Sequence, residues 1–146
     1  AGEIVSFQTF MTGEIFALLC TSSVLRHSVV GETWEDDAFL RAVDEAMSRP
    51  EALAARLFGI RAQDLLHGLP PASARARVSG LLVGAELAAA KPYWIGQSIA
   101  MIGAQALCDG YAAALSAQHV PVIRTDTSQM TLAGLKAAYA TWKETP

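Results

Sequence analysis

The hydrophobic patterning predicts an α/β protein with a small sheet and a large helical insertion. Three observations carry this. Apolar and polar residues alternate at the chain start. A long run of helical periodicity then gives way to a short apolar stretch at Ser98-Ile99-Ala100-Met101-Ile102, and a second such stretch stands at Val120-Pro121-Val122-Ile123. Each short stretch is followed by a helix-like segment, so the order reads strand, several helices, strand, helix, strand, helix.

Taken in order, Ile4, Ser6, Gln8 and Phe10 alternate against Val5, Phe7 and Thr9, which reads as a strand over Ile4–Phe10. A strand so near the terminus needs neighbours to pair with. No Met, basic n-region or apolar signal segment precedes it, and the chain reads as a piece of a longer one. Thr12 is a suitable N-cap for the helix that follows, with Glu14 in its first turn at the positive dipole end. Thr33-Trp34-Glu35-Asp36 resembles a capping box ahead of Trp34, Ala38, Phe39, Ala42, Val43, Ala46 and Met47 at helical spacing. Pro50 opens a further helix, Gly59 stops it, and Asp64–His67 forms another short turn before Gly68. Residues 33–70 are thus a helical insertion. Pro70-Pro71 opens a long helix reaching about Ala90, with Gly80, Gly84 and Ala88 making one flat face. Glycine inside a helix costs about 1 kcal/mol relative to alanine, so this face predicts close approach by another backbone, most simply a sheet. Helices over Gln105–Gln118 and from Thr127 or Ser128 to near Trp142 are expected to cover the sheet. With no linker or internal repeat visible, residues 1–146 read as one unit.

Composition narrows the function classes. Of the 146 residues, 52% are hydrophobic and 17% charged, which excludes a disordered segment. The net charge of −3 and the sparse Arg75, Arg77 and Lys91 provide no basic face for nucleic acid. The most apolar run, Gly80–Ala90, is short and carries Glu86, so no membrane span is expected. Cys20 and Cys108 lie far apart among apolar neighbours and read as reduced thiols of a cytoplasmic protein. His27, His67 and His119 stand singly, without companions at metal-ligand spacing.

Three places could carry function, one of them the Gly80/Gly84 face of the long helix, for which close helix–sheet packing is the simpler reading. Thr12-Gly13-Glu14 puts a glycine at a helix start after a strand, where free N–H groups and the dipole suit phosphate; an ordinary N-cap reads the same way. Gly103-Ala104-Gln105 repeats strand, small-residue turn and helix at a strand's carboxyl end, where open α/β sheets bind ligands; a plain tight turn is the alternative. Asp126 follows a strand end and could be functional, though it reads more simply as a cap of the last helix, a place that Thr127 or Ser128 could also take. Glu86 needs a partner within its apolar helix, and Arg124 is the candidate.

Phe7-Gln8-Thr9-Phe10-Met11-Thr12-Gly13-Glu14 resembles the F-x-T-x-M-T-G-E segment of 2-dehydro-3-deoxygalactonokinases. Ser79-Gly80-Leu81-Leu82-Val83-Gly84-Ala85-Glu86-Leu87 resembles that family's S-G-L-L-x-G-A-E segment. The resemblance covers nearly the whole chain and the C-terminal half of the family. It implies the C-terminal part of an actin-like ATPase (ribonuclease H-like) sugar-kinase domain, in enzymes that phosphorylate the terminal hydroxyl of 2-dehydro-3-deoxy-D-galactonate with ATP and Mg2+. The family's D-W-G-S-T loop, R-G-E-E segment and P-G-T-H hairpin have no counterpart here. No catalytic or metal-binding residue is therefore expected in this chain, which alone would be inactive. The resemblance implies that Thr12 and Gly13 approach the nucleotide near its phosphates and that Gly103, Ala104 and Gln105 line the adenosine cleft. Two departures stand out: Ala17 occupies a place often polar in related kinases, and Ile102-Gly103-Ala104 is less glycine-rich than the usual adenosine motif. The implied partners are nucleotide, sugar acid and the N-terminal half of the enzyme, with room for a homodimer. A helical interaction or regulatory domain is the alternative, and a small-molecule binding protein a third.

Overall fold

Pro71 opens a 19-residue helix, α4 (Pro71–Ala89), at the first-turn position where its missing N–H costs nothing. The computed structural model describes residues 4–144, and it divides into two units, Ala1–Tyr93 and Trp94–Pro146.

In the first unit α4 is the central element. Ala74, Ala76, Val78, Leu81, Leu82, Val83 and Leu87 are all buried, so the helix is apolar nearly all round. It is enclosed by α1 (Thr12–Thr21), α2 (Asp36–Ser48) and α3 (Leu53–His67), with 3₁₀ turns at Val24–His27 and Pro50–Ala52. The core gathers Leu25, Val29, Ala42, Ala46, Ile60, Ala74, Val78, Leu81 and Leu82. Buried Ser28 donates to Asp64 at 2.7 Å, and Arg61 pairs with the same carboxylate at 2.8 Å, which pins the 3₁₀ turn to α3.

The flat face of α4 meets a helix, not a sheet. A Cβ at Gly80 would fall on the Phe39 carbonyl oxygen and 2.8 Å from Ala42 Cβ; one at Gly84 would fall on the Val43 carbonyl oxygen and 2.9 Å from Ala46 Cβ. Small residues on both helices let the backbones close to contact, and the regular spacing in α4 matches Ala42 and Ala46 in α2.

Other expectations change for physical reasons. Residues 4–10 form no strand: Val5 is 97% exposed, and no partner strand among the described residues takes up their backbone groups. Glu35, not Thr33, is the N-cap of α2, without a side-chain cap bond; its carboxylate instead accepts from Ser73 and meets Arg41 at 3.5 Å. Gly59 lies inside α3, because burial of Ile60 outweighs one glycine's propensity cost, and Asp64–His67 is that helix's last turn. The helix ends at Gly68, whose φ of +63° is the left-handed cap glycine accepts readily.

The second unit begins in the short α5 (Lys91–Trp94), which straddles the division. Strands β1 (Ile99–Met101) and β2 (Val122–Arg124) pair in parallel, with Ile99 opposite Val122 and Met101 opposite Arg124. Helix α6 (Gln105–Ala117) makes the crossover and buries Ala112, Ala114 and Leu115. The last helix, α7 (Thr127–Glu144), was expected to cover the sheet, yet its described side chains are all exposed. It is held at its start: Asp126, rather than Thr127 or Ser128, caps it by accepting from the Gln129 N–H at 2.7 Å, while the Thr127 hydroxyl goes to the Gly103 carbonyl.

Substitution of Gly84 by Val is expected to cost roughly 2–3 kcal/mol by overpacking the α2–α4 contact. Gly59→Ala, where nothing lies within 4 Å of the added methyl, should gain about 0.5–1 kcal/mol. Chemical denaturation of both variants checks the pair; equal stabilities would remove the close crossing.

Candidate functional site

In the first unit, the start of α1 differs from the expectation in one atomic detail. Met11 is the N-cap and makes no side-chain cap bond, while Thr12 is already the first helical residue. Its hydroxyl is therefore free to reach sideways, and it donates to the Glu86 carboxylate on α4. Thr12 and Glu86, 74 positions apart, thus join the two motif segments. Arg124, the candidate partner for Glu86, instead pairs with Asp109. With Glu14 in the first turn and Glu86 beside Thr12, carboxylates stand at the positive end of α1. They already use part of the attraction that an incoming phosphate would feel. Gly13 has nothing within 4 Å of a would-be Cβ, so open space adjoins the turn.

Further along α1, a groove of about 510 Å³ opens between Phe16, Cys20, Arg26, Val29 and Arg75. The Arg75 guanidinium lies over the Phe16 ring, 5.1 Å from its centre. Burial pushes the Cys20 thiol above its usual range, and the Arg75 charge opposes that rise. Both cysteines are free thiols.

In the second unit the carboxyl ends of the two parallel strands converge. After β1, Ile102 and Gly103 are exposed, and Ala104 caps α6 without a side-chain bond, leaving first-turn N–H groups open. The Gly103 carbonyl accepts from the Thr127 hydroxyl at 3.0 Å. Thr125 binds the Met101 carbonyl through its N–H at 3.1 Å and its hydroxyl at 2.6 Å. Gln105 Nε2 donates to Asp109 Oδ1 at 3.0 Å, and Arg124 Nη1 donates to the same oxygen. The structure thus gathers Gly103, Ala104 and Gln105 with Asp109, Arg124 and Thr127 at the end of the sheet where ligands of parallel sheets sit. Asp109 and Thr127 were not singled out from the sequence as site residues. The signal lay in the i,i+4 spacing of Gln105 and Asp109, and in Arg124 closing its strand. Thr12 and Gly13 belong to the first unit and the Gly103 group to the second.

Among the described residues no group of three or more His, Cys, Asp or Glu is placed to hold a metal ion. No helix among them is long and apolar enough to cross a membrane.

The Cys20 environment makes a pH-dependent prediction. Because the thiolate is the reactive form and Arg75 favours it, Arg75→Met should raise the thiol's pKa further. Alkylation of Cys20 at pH 8 should slow by roughly threefold, with the difference fading once the pH passes both pKa values. Peptide mapping after timed iodoacetamide treatment reads the rate, and an unchanged rate at pH 8 would contradict the electrostatic coupling.

Comparison with known proteins places this geometry in a family. A family model described as 2-keto-3-deoxy-galactonokinase matches residues 1–138. The chain is 35% identical over 140 residues to the Rhizobium meliloti (strain 1021) protein named "Probable 2-dehydro-3-deoxygalactonokinase DgoK1", covering 93% of this chain and 46% of that protein. It is 31% identical over 129 residues to the 2-dehydro-3-deoxygalactonokinase of Escherichia coli (strain K12), covering 86% of this chain and 44% of that one. A crystal structure of a 2-dehydro-3-deoxygalactonokinase-type protein from Sinorhizobium meliloti superposes with a TM-score of 0.82 at 36% identity, over 93% of this chain and 45% of that one. The chain thus spans about half the length of the relatives it matches. Both motif segments fall inside the matched residues, and this chain belongs to the 2-keto-3-deoxy-galactonokinase family.

Proposed function

We propose that this chain is the nucleotide-side half of a kinase that transfers the γ-phosphoryl group of MgATP to the terminal hydroxyl of 2-dehydro-3-deoxy-D-galactonate, giving the 6-phosphate. In this reading it forms the C-terminal part of an actin-like ATPase sugar-kinase domain. The observation that carries it is the exposed Gly103 turn at the carboxyl end of β1, opening directly into α6 in a chain of this family.

The residues have distinct parts in this reading. Gly103 keeps the space above the strand end free of a side chain, and Thr127 holds its carbonyl in place. Asp109 fixes the Gln105 amide beside the turn, so Gln105 meets an adenosine in one orientation rather than many. Ala104 lies between them with only a methyl group. Within the first unit, Glu86 fixes the Thr12 hydroxyl beside Gly13, the helix start to which the family resemblance assigns phosphate. Magnesium arrives on the nucleotide phosphates, in keeping with its habit of using few protein ligands. Phosphoryl transfer depends on positioned charge around the γ-phosphate. The D-W-G-S-T, R-G-E-E and P-G-T-H segments that would provide it are not in these 146 residues.

Two outcomes follow. A family-length protein containing this sequence should convert 2-dehydro-3-deoxygalactonate to its 6-phosphate with MgATP, whereas residues 1–146 alone should give no turnover in a coupled ADP assay. Turnover by these residues alone would overturn the division of labour. Gly103→Val should leave folding intact, because a Cβ there meets only Cys108 Sγ at 3.5 Å, an ordinary contact. In the family-length protein it should weaken ATP binding by about tenfold, or ~1.4 kcal/mol, while sugar-acid affinity and melting temperature stay near those of the parent. Calorimetric titration reads both affinities; an unchanged ATP affinity removes Gly103 from the site.

A further inference from the structure

Helix α6 opens with a hydrogen bond whose direction is dictated by chemistry. An ionised carboxylate accepts and does not donate, so Asp109 Oδ1 can hold the Gln105 amide only through its NH2 group, which lies 3.0 Å away. Arg124, the last residue of β2, donates to the same oxygen and has no acceptor of its own to offer. The acceptor on Asp109 is therefore gripped from the neighbouring strand by a group that can only donate. The consequence falls on the other arm of the planar Gln105 amide. With the nitrogen anchored at Asp109, the Oε1 carbonyl is left over, and no described residue donates to it. Gln105 is exposed and stands in the first turn of α6, two residues after the exposed Gly103. A Gln–Asp pair four residues apart is a common contact on helix surfaces. Here it differs in its place, at the carboxyl end of a parallel strand pair, and in the Arg124 grip that fixes its polarity.

Building on the adenosine reading of the Gly103 turn, we propose that Gln105 selects the nucleobase and that Asp109 is its positioning residue. The Gln105 Oε1 accepts from a purine that carries an amine at C6 and disfavours one that carries a carbonyl there. Adenine offers a donor at that edge, whereas a 6-oxopurine offers an acceptor. Two acceptors brought face to face leave both unpaired, so the 6-oxopurine loses a hydrogen bond and gains a repulsion. Selection of this kind depends on the amide being unable to turn over. A free glutamine could rotate and present its NH2 group to the carbonyl, meeting either base equally well. Asp109 prevents that rotation, because a turned amide would set its carbonyl against the carboxylate. Arg124 in turn keeps the Asp109 oxygen in place. Gln105 thus touches the base, and Asp109 and Arg124 act through it.

The test compares ATP with inosine triphosphate, which replaces the C6 amine of the base by a carbonyl and is otherwise the same molecule. Calorimetric titration of the family-length protein gives both affinities for the parent, Asp109→Asn, Asp109→Ala and Gly103→Val. The Asp109 side chain is half-exposed, so its replacement should leave the melting temperature near that of the parent. The parent should favour ATP by about tenfold, the size expected of one exposed hydrogen bond gained against one repulsion. Asp109→Asn keeps a carbonyl oxygen that Arg124 holds towards Gln105, and should retain that preference. Asp109→Ala frees the amide to rotate, and the preference should fall to about twofold or less, mainly through tighter binding of inosine triphosphate. A merely structural Asp109 would weaken both nucleotides alike and leave their ratio unmoved. Equal affinities in the parent, an unmoved ratio in Asp109→Ala, or loss of the preference in Asp109→Asn would each overturn the proposal. Gly103→Val separates the two claims. Weaker ATP binding there, beside an unmoved ratio in Asp109→Ala, removes the base selection and leaves the adenosine site standing. Unchanged ATP affinity in Gly103→Val together with an unmoved ratio in Asp109→Ala overturns both.

Discussion

The crossing of α2 and α4 is the constraint on which the first unit depends. Gly80 and Gly84 bring the α4 backbone against the carbonyl oxygens of Phe39 and Val43, with Ala42 and Ala46 facing them. No larger residue at these positions would let the two helices meet so closely. Dispersion between atoms falls off steeply with separation, so this proximity is what turns a set of small side chains into a well-packed core. Glycine's propensity cost inside α4 is about 1 kcal/mol per site, and the contact along two helices more than offsets it. Once α4 is seated, its remaining faces are covered by α1 and α3, and the 3₁₀ turn at Val24–His27 is tied down through Ser28 and Asp64.

That seating also fixes the start of α1. Glu86 lies two residues beyond Gly84, close to the end of α4, and its carboxylate receives the Thr12 hydroxyl. The helix start that resembles a phosphate-binding turn is therefore held by the same helix that organises the core. Sequence motifs far apart in the chain acquire a common physical purpose: one supplies the close-packing face, and the other supplies the hydroxyl that its terminal acid holds. In the second unit the organising element is smaller. A two-stranded parallel pair with one crossover helix brings the turn after β1 and the turn after β2 to the same end, where Thr125 and Thr127 stitch them together.

The contrast between the two units explains why their apolar surfaces differ. Helices α1 to α4 bury one another, whereas α7 has a comparable apolar stripe and nothing among the described residues to bury it against. Residues 4–10 share this condition, with Ile4, Val5 and Phe7 largely exposed.

Local signals were legible in the sequence wherever the physics is local. Proline at the first turn of α4, Gly68 closing α3, Asp126 capping α7, and the change of period at β1 and β2 each follow from a few neighbouring residues. The paired T-G-E and G-A-E segments likewise marked the family before any contact was known. What the sequence alone determined was therefore most of the helices, the approximate places of the two short strands and the kinship. Tertiary structure decided the rest. It made the glycine face of α4 a helix–helix contact, ran α3 through Gly59 because Ile60 is buried, gave Glu86 to Thr12 and Arg124 to Asp109, and left residues 4–10 without a sheet. Each of these turns on which partner lies across the chain, and both strand pairing and carboxylate pairing draw their energy from non-local neighbours that a local pattern does not contain.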